Sequence, residues 1–158
     1  ENNLLSYESL SVKAAEASAR FHALSAQIKA AEKRMAEIAM LRTHIINYSK
    51  TRDVYVAYRK AGYSKKFYEE HTADLLLHKA AKQAFDALAS KKLPTVKALN
   101  IEYAELLAAK KKAFTEYTSA RAEMRKVLAV KANVEKILER DKNIDTAIIF
   151  AENSLKDL

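Results

Sequence analysis

Glycine and proline occur once each in this chain of 158 residues, at Gly62 and Pro94. Glycine enters left-handed backbone freely, and proline lacks the amide that continues a helix, so these two residues are the strongest local breaks available. Everything around them reads as helix. The expected fold is all-α: a helix over about 4–61, a second over about 65–89, a third over about 94–139 and a short terminal helix over about 144–156. The two long helices should fold back as an antiparallel, coiled-coil-like hairpin with the short helix between them, in one helical domain.

The buried stripes support this pairing. Tyr7, Leu10, Ala14, Ala17, Phe21, Leu24, Ile28, Ala31, Met35 and Ile38 alternate by steps of three and four, a heptad seam held for more than four repeats. After Ile38 come Leu41, Ile45, Tyr48, Arg52 and Tyr55, with an extra step of three of the kind that overwinds a coiled coil. An unbroken helix from about residue 5 to 61 would be on the order of 85 Å long. The third helix carries a matching seam through Val96, Leu99, Tyr103, Leu106, Ala113, Tyr117, Ala120, Met124, Val127, Val134 and Leu138, interrupted by Lys110 and Lys131. Leu107, Phe114 and Leu128 widen that stripe on its flank.

The ends are also marked. Gly62 suits a left-handed position after a helix, and Ser64 suits an N-cap, with Glu69 and Glu70 near the start of the helix it would begin. Ser90 to Leu93 is the expected loop, and Pro94 belongs in the first turn of the next helix. The polar stretch Glu139-Arg140-Asp141-Lys142-Asn143 is expected to break that helix before the terminal one begins.

Charge is unevenly placed. Residues 1–41 hold five basic and five acidic side chains, and residues 98–158 hold eleven and ten. Residues 42–97 hold twelve basic and five acidic, and so carry +7 of the formal net +8. Such a field attracts polyanions, although lysines also serve simply to solvate a helical surface. There is no cysteine, so disulfides and thiolate metal sites are excluded. No apolar run approaches the roughly 20 residues of a membrane span. Glu1-Asn2-Asn3 carries neither an initiator methionine nor a signal-peptide pattern, and the chain is read as a piece of a longer protein.

No catalytic site emerges, and no cofactor or metal is expected. The histidines, His22, His44, His71 and His78, form neither an i, i+4 pair nor a His-x-His motif. His71 and His78 share a face but lie roughly 10 Å apart along an ideal helix, too far for one metal ion. Both are expected to pack or to be partly exposed. One glycine cannot build a phosphate loop, and scattered carboxylates fit surface ion pairs.

The stretch from Thr51 to Tyr68 interleaves aromatic residues with five basic ones. Tyr55, Tyr58, Tyr63, Phe67 and Tyr68 are expected to form a small core under the turn, as packed aromatics often do. Aromatic rings also stack on unpaired bases, and Lys and Arg contact phosphates. The candidate phosphate-binding residues are Arg52, Arg59, Lys60, Lys65, Lys66, Lys79, Lys82, Lys91, Lys92 and Lys97.

Several of these residues carry a resemblance. The run from Tyr48 to Phe67, together with His71, Leu77 to Lys82, Phe85-Asp86 and Lys92 to Lys97, resembles relaxases of the MobA/MobL-like mobilization type from conjugative elements of gut Firmicutes. The blocks Glu102 to Lys112 and Lys131 to Val134 fit the same pattern, so that about residues 40 to 138 are similar to the helical C-terminal part of those proteins. Relaxases nick one DNA strand with a tyrosine nucleophile and a metal held by histidines. That chemistry belongs to their N-terminal domain, and no tyrosine here matches the nucleophile. The resemblance implies a non-catalytic segment in the bacterial cytoplasm. Its partners would be plasmid or conjugative-transposon DNA, and the accessory or coupling proteins of a relaxosome.

Two readings from different classes follow. One is a DNA-contacting helical module without sequence selectivity of its own, with steep salt dependence. The other is a coiled-coil interaction or spacer module, self-associating as a homodimer, with exposed apolar side chains along one helix and no DNA contact.

Overall fold

The structure, a computed structural model, describes residues 2–90 and 92–156. Among the described residues four helices follow one another: α1 (Asn2–Lys60), α2 (Lys65–Glu70), α3 (Thr72–Asp86) and α4 (Val96–Lys156). No strand occurs among the described residues. The chain is all-α. It divides into two compact units, one of Glu1–Ile28 with Lys112–Leu158 and one of Lys29–Lys111.

In the first unit, the two ends of the chain pair through small residues. Leu24, Ala113 and Ala120 are buried together, with Phe21, Ile28 and Tyr117 packed against them. Ala14 and Ala17 continue the same buried face. Alanines at these positions allow two helix axes to approach closely. The Tyr7 hydroxyl donates to Glu135 at 2.7 Å, and Arg20 meets Glu123 at 3.3 Å. A rising number on α1 therefore faces a falling number on α4, which is the antiparallel register.

The second unit repeats this arrangement with larger side chains. Ile38 and Leu99 are fully buried, and Ala31 and Met35 lie on the same seam of α1 as Ile38. Arg34 grips Glu102 with two hydrogen bonds, Nε to Oε1 at 2.7 Å and Nη2 to Oε2 at 3.1 Å. This two-point contact raises the Arg34 pKa, and the same hydrogen bonds hold Glu102 below the usual carboxylate range. Lys110, which interrupts the expected seam, forms an ion pair with Glu32 at 2.9 Å. Arg42 donates to Asn100 at 2.8 Å and lies over the Tyr103 ring.

The end of α1 is closed by backbone geometry. The Gly62 amide donates to the Arg59 carbonyl and the Tyr63 amide to the Tyr58 carbonyl, both at 3.1 Å. These are the two crossed bonds of a Schellman motif, with Gly62 at φ +63° in the left-handed position. The accompanying apolar contact is aromatic: the Tyr58 and Tyr63 rings meet edge to face at 5.3 Å. Ser64 caps α2 by accepting from the Phe67 amide at 3.4 Å.

Six expectations are corrected. The seam of α1 passes through Thr51, which is buried, while Arg52 is exposed. The chain takes its three-residue step one position earlier, and Thr51 is tolerated inside because its hydroxyl donates to the Asn47 carbonyl at 2.7 Å. The helix expected over 65–89 is two helices, broken at His71, whose backbone (φ −124°, ψ 26°) is non-helical. The segment from Ala87 to Thr95 is non-helical wherever it is described, so the loop is longer than Ser90 to Leu93. Pro94 precedes α4 instead of lying in its first turn, because Thr95 is the N-cap and accepts from the Ala98 amide at 3.1 Å. Finally, no break occurs at Glu139 to Asn143, and the residues expected to form a separate terminal helix continue α4 to Lys156. Glu, Arg and Lys are good helix formers, and a polar run on an exposed helix needs no interruption. Leu138, placed on the seam by spacing, is 37% exposed.

Candidate functional site

The second unit contains a cleft of about 370 Å³ where the end of α1, the Schellman turn, α2 and α3 come together. Tyr55 and Tyr58 reach it from α1, Tyr63 from the turn and Tyr68 from α2. From α3 come Leu75 and Leu76, followed by His78, Lys79 and Lys82. The spacing explains the shared wall: positions 75, 78, 79 and 82 fall within one face of a helix, as do 55 and 58. Thus four tyrosines and two lysines share the lining of one cleft.

His78 anchors the pocket. Its ring is stacked between Tyr48, at 4.6 Å and 23°, and Tyr55, at 4.4 Å and 14°. Nδ1 lies 3.0 Å from the Thr51 hydroxyl. That hydroxyl has one proton, already given to the Asn47 carbonyl at 2.7 Å, so it accepts from His78 Nδ1–H. Nε2 is then the unprotonated nitrogen and an acceptor. Burial lowers the His78 pKa, and the positive charge of Lys82 lowers it further, so the ring is neutral near pH 7.

The aromatic residues pack, as expected, but they do not make a closed core. Tyr58 touches Tyr63, Phe67 and Tyr68 at ring separations of 5.3 to 6.0 Å, and Phe67 meets His71 at 4.3 Å. Even so, none of these rings is fully buried, and Tyr63 remains 58% exposed.

Of the basic residues singled out by sequence, Lys79 and Lys82 line the cleft. Arg52, Arg59 and Lys60 are exposed on the last turns of α1, Lys65 and Lys66 on α2, Lys92 in the loop and Lys97 at the start of α4. Lys91 lies outside the described residues. Among the described residues of this set, only Lys65 has an acidic partner, a long contact of 3.9 Å to Glu69. The basic residues beside the helix seams differ: Arg20, Arg34, Lys110 and Lys131 each meet a glutamate.

Thr51 and Tyr48 are the functional-site residues that seam counting missed or left without a role. A buried threonine looks polar in a hydropathy pattern, and only its hydrogen bond to His78 reveals its place. Among the described residues no group of three His, Asp or Glu side chains could hold a metal ion, and no helix is long and apolar enough to cross a membrane. No family model, curated protein or solved structure matches the chain.

Proposed function

We propose that the second unit is a non-catalytic, DNA-contacting module, acting within a mobilization relaxase of a bacterial conjugative element. The observation that carries this reading is the concentration of positive charge. Residues 42–97 hold twelve basic and five acidic side chains, and of the basic ones Arg52, Arg59, Lys60, Lys66, Lys79, Lys82, Lys92 and Lys97 are exposed with no acidic partner among the described residues. Unmatched cations repel one another, and a polyphosphate backbone relieves that repulsion while releasing its own counterions. The resemblance of residues 40 to 138 to mobilization relaxases supplies the context of plasmid or transposon DNA in the cytoplasm. Phosphate contacts carry no base information, so binding through this patch is independent of sequence.

The test is fluorescence anisotropy with labelled DNA of several sequences, comparing the native chain with a Lys65→Ala/Lys66→Ala variant. Affinity should fall several-fold, and equally for every sequence. Unchanged affinity, or a loss confined to one sequence, would contradict the proposal.

A second reading is favoured by a different observation. In the first unit Phe114, Ile144, Ile148, Ile149, Phe150 and Leu155 are exposed on α4. Apolar side chains in such number suit a coiled-coil interaction, either a homodimer or contact with relaxosome accessory or coupling proteins. Sedimentation equilibrium separates the two: a concentration-dependent mass supports self-association, and a strict monomer removes the dimer.

A further inference from the structure

We propose that the tyrosine cleft accepts one unpaired nucleobase of a single DNA strand, with Lys79 and Lys82 on the adjoining phosphates. The inference rests on the DNA-contact reading and adds a preference for unpaired over duplex DNA, which the basic patch alone does not provide.

Three observations point to this ligand. The first is size and lining. The cleft, at about 370 Å³, lies within the range of small-ligand sites, roughly 300–1,000 Å³, and combines aromatic walls with paired cations. Bases offer a π-face to tyrosine whatever their identity, and their phosphates lie one bond system away from the sugar, where lysines on one face of α3 can meet them.

The second is the state of the rings. Tyr55 is committed to His78, whereas Tyr63 and Tyr68 each have a single ring neighbour, Tyr58. Tyr63 also sits at φ 60°, a left-handed conformation that costs a side-chain-bearing residue energy. Burial does not offset that strain, because the ring stays 58% exposed. Strained residues with open side chains gather where a ligand is held.

The third is the hydrogen-bonding inventory. Lysines and tyrosine hydroxyls supply donors in excess. His78, 3% exposed in the cleft wall, adds the other kind of group: Nδ1–H is engaged with Thr51, which leaves Nε2 as the acceptor of the ring. A free nucleotide has the same chemistry. The exposed cations outside the cleft, Arg59 and Lys66 among them, favour a strand with further phosphates.

The full chain should be titrated by anisotropy against four probes: a labelled twelve-residue single strand, the same strand as duplex, the same strand with every base replaced by an abasic unit, and thymidine monophosphate. The expected result is about 5- to 100-fold tighter binding of the base-bearing strand than of the abasic one, the range of one stacked base. The duplex should resemble the abasic strand. Tyr68→Leu, at an exposed position, should remove most of the advantage of the base-bearing strand over the abasic one. A Lys79→Gln variant should weaken both strands. Equal binding of base-bearing and abasic strands would overturn the inference and leave the phosphate patch intact. Binding of the monophosphate as tight as that of the strand would overturn the strand as ligand. No binding of any probe would overturn the inference and the DNA-contact reading together. The chain has eight tyrosines and no tryptophan, so tyrosine emission is a second readout. It should be quenched by the base-bearing strand alone.

Discussion

The Thr51 hydroxyl and His78 Nδ1 lie 3.0 Å apart, linking α1 to α3 beneath the tyrosine cleft. Both residues are buried, and the hydroxyl also holds the Asn47 carbonyl. A single threonine proton thus sets the tautomer of the imidazole stacked between Tyr48 and Tyr55. Replacing Thr51 by valine keeps the shape and removes the acceptor, leaving a buried Nδ1–H without a partner. Urea denaturation should show a loss of about 1–3 kcal/mol for Thr51→Val. Thr51→Ser, which retains the hydroxyl, should lose distinctly less, and equal losses would contradict this role.

The same linkage sets a pH dependence. Burial, then the Lys82 charge, lowers the folded-state pKa of His78 below the roughly 6.5 of an unfolded chain. The unfolded chain therefore takes up the proton first as pH falls. The stability contributed by neutral His78 is fully present above about pH 6.5 and is lost as pH drops toward and through the folded pKa. An NMR titration should place the His78 midpoint below the ordinary histidine value. A midpoint at or above that value would contradict the assignment.

Gly62 offers a test of the turn itself. A Cβ built there meets nothing within 4 Å, so Gly62→Ala introduces no clash. What remains is the left-handed backbone, partly offset by reduced freedom in the unfolded chain, for a net cost of about 1 kcal/mol. A gain in stability, or a loss above about 3 kcal/mol, would show that the Schellman geometry is not what holds this end of α1.

Much of the seam was legible in the sequence, because three- and four-residue steps of apolar residues mark a buried face. Ala14, Ala17, Leu24, Ala31, Met35 and Ile38 are buried where the spacing puts them. Gly62 and Ser64 were legible for a different reason, since each performs a backbone task few residues do well. Thr51 was not, because its burial depends on a bond to the Asn47 carbonyl that hydropathy cannot register. The break at His71 was hidden too. Neither glycine nor proline marks it, and the Thr72 hydroxyl takes the Tyr68 carbonyl at 2.7 Å. The polar run at Glu139 misled in the opposite direction, since polarity alone does not end a helix of good helix formers. The cleft was half visible: its tyrosines and lysines stood out, but which of them share a wall depends on how α2 and α3 turn back on α1.

Two leucine-like seam positions should differ sharply. Ile38 is fully buried, so Ile38→Ala should destabilise by about 2–5 kcal/mol. Leu138, at 37% exposure, should cost much less when cut to alanine. Equal losses in thermal or urea denaturation would mean that the seam extends past Val134 in solution.

The most direct test of DNA contact is the slope of log affinity against log salt for a single strand, measured for the native chain and for Lys79→Gln/Lys82→Gln. Each neutralised phosphate contributes about −0.7 to that slope. The native chain should bind at low salt and weaken steeply as salt rises, and the double variant should show a slope shallower by about 1.4. Absence of binding at low salt, or identical slopes for the two proteins, would contradict the account.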